Sequence, residues 1–183
     1  MRRQLSSRSA QTRALAHSES LQLCRRVSHP TTTHVTVKTV AEIENPEVQE
    51  FAQRAIAFVR GFRWCRDVTA CTLGFAVAGV LGIFRVDLVP GEGADPTVWV
   101  IVGDLPPAYL AFEPDDSWQD ALRGYVMEMR LWAEAAGTGG DVSELIPVNV
   151  PPTPEYAAML SGRLDFLERH LLDADPESLE GDA

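Results

Sequence analysis

Lysine is nearly missing from this chain of 183 residues: Lys38 stands alone against fifteen arginines. Arginine in place of lysine, with abundant Ala, Gly and Val, is the usage of GC-rich bacterial coding. Histidine is scarce as well. His17, His29 and His34 fall near the start and His170 near the end, so a Ser–His or Cys–His pair would depend on His170 alone. That residue sits in the last turns of a helix, where a cation suits the carbonyl dipole, and is expected to be a surface group. The three cysteines, Cys24, Cys65 and Cys71, are odd in number and contain no C-x-x-C. This excludes a disulfide framework and points to a reducing, cytoplasmic compartment. The spacing of Cys65 and Cys71 fits no zinc motif, so both read as small buried hydrophobes. H-E-x-x-H, the P-loop, G-x-G-x-x-G after a strand and G-x-S-x-G are all missing. No catalytic residue, cofactor or metal ligand is therefore assigned.

Charge is unevenly spread. Residues 1–34 carry six arginines and one acid, Glu19, whereas residues 35–183 carry ten basic residues against twenty-five acids, about −15. The basic stretch lacks a core pattern and is expected to be disordered. Disorder of no defined function is the preferred reading; an over-long start, with a GTG start codon at Val35, competes with it, and a transit peptide and a nucleic-acid-binding arm are weaker readings. The acidic remainder would repel nucleic acid, because phosphate binding needs Lys and Arg to release counterions. It would attract a basic protein, although acidity also serves plain solubility.

Long apolar runs are few. Residues 68–84 (VTACTLGFAVAGVLGIF) form a charge-free run of seventeen, at the lower limit for a membrane span. Gly74, Ala78 and Gly82 supply small residues at four-residue steps, and Arg60, Arg63 and Arg66 flank the run. A membrane anchor is thus one reading. The preferred one is two sheet segments, or one bent strand with a glycine bulge. Phe84 to Val89 then alternates as a half-buried strand. Val98 to Val102 (VWVIV) is mostly β-branched and wants burial on both faces, and Gly103-Asp104 and Pro106-Pro107 end it. Tyr109 to Phe112 offers a further short strand.

Helix signals surround these strands. Asn45-Pro46-Glu47 opens one helix, with Val48, Phe51, Ala52, Ala55, Phe58, Val59 and Phe62 as its stripe, Glu50 and Arg54 as an i,i+4 pair, and an end near Trp64. Ser117 with Asp120 makes a capping box before a second, which Gly137 to Gly140 stops. Thr153-Pro154-Glu155 caps a third. The pattern predicts an α+β domain over 35–173. An antiparallel meander of three to four strands is covered by three amphipathic helices, in the order α-β-β-β-(β)-α-α, with the helices on one face. Residues 174–183 read as an acidic, disordered tail.

The run WVIVGDLPPAYLAF, with DALRGYVMEMRLWAEA and IPVNVPPTPEYAAMLSGRLDFLERHLL after it, resembles a family of small bacterial proteins with no established activity. The resemblance spans most of 38–173. It implies a folded bacterial domain starting near Val35, leaves the basic extension outside, and implies no catalytic residues.

Five residues remain as candidates for binding. Asp104 follows the central strand, though an Asx-turn explains it better, since Gly-Asp before Pro-Pro is turn chemistry. Tyr109 lies just beyond. Asp115 and Asp116 precede the second helix, where with Asp120 they could hold a cation or simply suit a helix N-terminus. Trp118, at that helix start, could anchor a partner or pack in the core. The sequence leads to a non-catalytic, inhibitor- or immunity-like binding domain with an acidic face for a basic protein. The alternatives are a small hydrolase or transferase using carboxylates such as Asp104 and Glu128, and the membrane-anchored reading.

Overall fold

A computed structural model describes residues 38–91, 95–111 and 116–173. The basic extension and the acidic tail lie outside the described residues. The chain runs through β1 (Lys38–Thr39), α1 (Pro46–Arg60), β2 (Cys65–Val77), β3 (Leu81–Pro90), β4 (Thr97–Gly103), β5 (Ala108–Leu110), α2 (Trp118–Thr138) and α3 (Pro154–Leu167). A π-helical turn, Glu168–Leu172, follows α3. The strands form one antiparallel sheet in the order β1-β2-β3-β4-β5. This is the expected α+β meander, with the two-residue β1 added at its edge.

The helices do not share one face. On one side of the sheet, Phe84, Val86 and Leu88 of β3 and Val98, Val100 and Val102 of β4 pack with Phe51, Ala52, Ala55 and Val59 of α1. On the other, Leu81, Ile83, Trp99 and Ile101 pack with α2 and α3. The cause lies in β3 and β4. β4 is apolar without a break from Val98 to Val102, and β3 carries Leu81, Ile83 and Phe84 before it alternates as expected, so each face of the sheet demands its own cover. The expectation of helices on one face is corrected to three layers, with the meander in the middle.

The charge-free run 68–84 is β2, a tight turn and β3, not a helix. No helix among the described residues is long and apolar enough to cross a membrane. Val77 pairs with Leu81 across the turn. Gly79 adopts φ +70, and Val80 N–H donates to Val77 O at 2.9 Å. Gly79 is the third residue of the turn closed by that bond, a place where positive φ favours glycine. The expected bulge sits at Gly74, where the register shifts between Leu73 and Phe75. A Cβ there would lie 2.6 Å from Trp99 Cζ3 and 3.1 Å from Trp118 Cβ. The missing side chain lets two tryptophans close over the sheet.

Helix ends follow local chemistry. Asn45 accepts the Glu47 N–H at 2.9 Å with Pro46 at the first helical position. Ser117 and Asp120 form the reciprocal capping box, and Gly139 ends α2 at φ +71. Thr153 accepts the Tyr156 N–H at the start of α3. Two expectations fail. The first helix stops at Arg60 rather than near Trp64, because Phe62 and Trp64 turn away to pack against Tyr109. Arg54 does not bridge to Glu50. It reaches Gly103 O at 3.0 Å while its guanidinium lies 5.5 Å from the Phe51 ring centroid.

Gly103 is the most constrained position of the turn that follows β4. Its φ is +152, and a Cβ would fall 2.2 Å from Val80 O. Gly103→Ala is therefore expected to lower stability by roughly 2–4 kcal/mol through strain and steric conflict. Urea unfolding measures it, and a loss under about 0.5 kcal/mol would contradict the assignment.

Cys71 is buried against α1, as read from the sequence, whereas Cys65 is only partly covered. Burial pushes the Cys71 thiol from 9.0 up to about 12. The unfolded chain ionises first as pH rises, so the native state holds the proton longer. Its contribution to stability is complete below pH 9 and disappears between 9 and about 12. Cys71→Ala should flatten the alkaline fall in stability relative to the parent chain, as read by denaturant midpoints across that range. An unchanged slope would show that Cys71 does not carry it.

Candidate functional site

The five candidate residues do not converge. Asp104 leaves the end of β4 with its N–H donated to Val80 O at 2.9 Å. Its carboxylate pairs with Arg163, fifty-nine residues away on α3. The Asx-turn is thus replaced by a tertiary ion pair. Together with Gly79, Val80, Leu105, Phe166 and Leu167, these two residues line a shallow depression of about 130 Å³. Pockets that bury a drug-sized ligand run to roughly 300–1,000 Å³. The depression suits one side chain of a partner better than a free small molecule.

Tyr109 lies across the sheet from that depression. It pairs with Val100 and so faces the α1 side. Its ring stands 5.0 Å from Phe62 and 4.7 Å from Trp64, while Phe62 and Trp64 stack on each other at 5.3 Å. Burial pushes the Tyr109 phenol up. A hydrogen bond with Trp64 works against that rise, and the Asp95 carboxylate adds to it.

Trp118 is core, not an exposed anchor. It is 7% exposed and stacks on Phe75 at 4.2 Å between centroids. Asp115 lies outside the described residues. Asp116 is half-buried beside the α2 cap. Asp120 is committed to that cap, accepting from Ser117 N–H at 3.1 Å and from Arg123 at 3.2 Å. Among the described residues no group of three or more His, Cys, Asp or Glu side chains is placed to hold a metal ion.

Glu128, the other carboxylate of the enzymatic alternative, sits half-buried on α2, and burial pushes its carboxyl up. It is not among the residues around Asp104. His170 is exposed, with its ring 4.5 Å from Phe166.

The sequence reading missed Arg163 and Phe166. Nothing local marks them: Arg163 is one more charge on a helix, and only the return of α3 to the end of the sheet brings it to Asp104. A second long-range pairing fixes that return. Arg130 of α2 bonds Asp165 at 2.7 Å and also Glu168. The two carboxylates hold the Arg130 guanidinium firmly protonated, raising its pKa against the small opposing effect of burial.

No protein-family model matches the chain, and neither a curated protein nor a solved structure is significantly similar to it.

The side chains of Asp104 and Arg163 are 62% and 58% exposed. Water screens such a pair, so a double-mutant cycle of Asp104→Asn and Arg163→Met should give a coupling of about 0.2–1 kcal/mol. Coupling above about 2 kcal/mol would show a desolvated, functionally tuned pair.

Proposed function

We propose that this protein is a non-catalytic binding protein, of the inhibitor or immunity type, whose acidic exterior covers a basic protein partner. The reading includes a bacterial source and action in the cytoplasm. One observation carries it: the carboxylate surplus is exposed and largely uncompensated. Among the described residues, arginine–carboxylate contacts account for Asp67, Asp87, Asp104, Asp120, Asp165 and Glu168. Glu44, Glu47 and Glu50 at the start of α1, and Glu134, Glu144 and Glu155 around the α2–α3 connection, are exposed and belong to no such bridge. A surface of one sign raises the rate of encounter with a partner of the other and disfavours partners of its own.

The shallow site supports the same reading, since it offers an ion pair and an aromatic edge on a rigid frame. The alternative, a hydrolase or transferase using carboxylates such as Asp104 and Glu128, draws less support, since Glu128 does not line the depression beside Asp104.

Immobilised chain, both in full and starting at Val35, should retain a basic protein from its host at low salt and release it as salt rises. Substituting Gln for Glu44, Glu47 and Glu50, or for Glu134, Glu144 and Glu155, should weaken retention. If no basic partner is retained at low salt by either form, the proposal fails.

A further inference from the structure

We draw no further inference here: the strongest candidate, the exposed side of α3 at Tyr156, Met159 and Phe166, is an unpartnered apolar helix face, and nothing in the structure shows what covers it.

Discussion

The fold depends on the burial of β3 and β4 from both sides. Ile83, Phe84, Val86, Val100 and Ile101 are fully enclosed, and their neighbours along the same strands point to opposite faces. Full burial of one such side chain contributes about 1.5–3 kcal/mol, so neither face can be left to water. One helix cannot cover two faces. The segment before the meander therefore takes one side, and the hairpin of α2 and α3 takes the other. Whole polar side chains stay out of the core: the buried positions among the described residues are apolar, aromatic or glycine, apart from the Cys71 thiol. Tyr125 brings a hydroxyl into this core and satisfies it by donating to Pro106 O at 2.9 Å. That bond also fastens α2 to the turn that carries Asp104.

Close packing of this kind leaves marks on the backbone. Gly74 makes room for Trp99 and Trp118, and Gly103 lets β4 turn beneath the Val80 carbonyl. Both places read in the sequence as punctuation. In three dimensions they are close approaches, where the absence of a Cβ matters more than a weak preference for turns. The turn at Gly103 also sets the position of the depression, because Asp104 follows it directly and Val80 forms the opposite wall. The candidate site is thus a by-product of how the central strands end, made distinctive by the helix that returns to it.

Most of the architecture was legible. Asn45-Pro46, Ser117 with Asp120, and Thr153-Pro154 marked three helix starts correctly, because a cap is a contact between residues two or three apart. The strand Val98–Val102 announced its burial through β-branched composition, and the double-sided cover followed from that same composition even though the helices were first expected on one face. The site was much less legible. Asp104 was noticed for its place after a strand, but its partner was not. Trp118 drew attention as a possible anchor because a tryptophan near a loop looks the same in sequence whether a bulge glycine admits it to the core or not. Nor could the exposure of Tyr156, Met159 and Phe166 on α3 be read, because the spacing of apolar residues along a helix does not show which of them will be covered.

By itself the sequence determined the kinds of element, their order, their caps and the acidic surplus. All of these depend on residues close in the chain or on simple sums of charge. The tertiary structure alone decided which face of the sheet each helix covers, that Asp104 meets Arg163 across fifty-nine residues, and that Tyr156, Met159 and Phe166 of α3 are left to solvent. Those outcomes depend on how the connections steer rigid elements past one another. Periodicity along a chain shows that a face is apolar but cannot show what will lie against it.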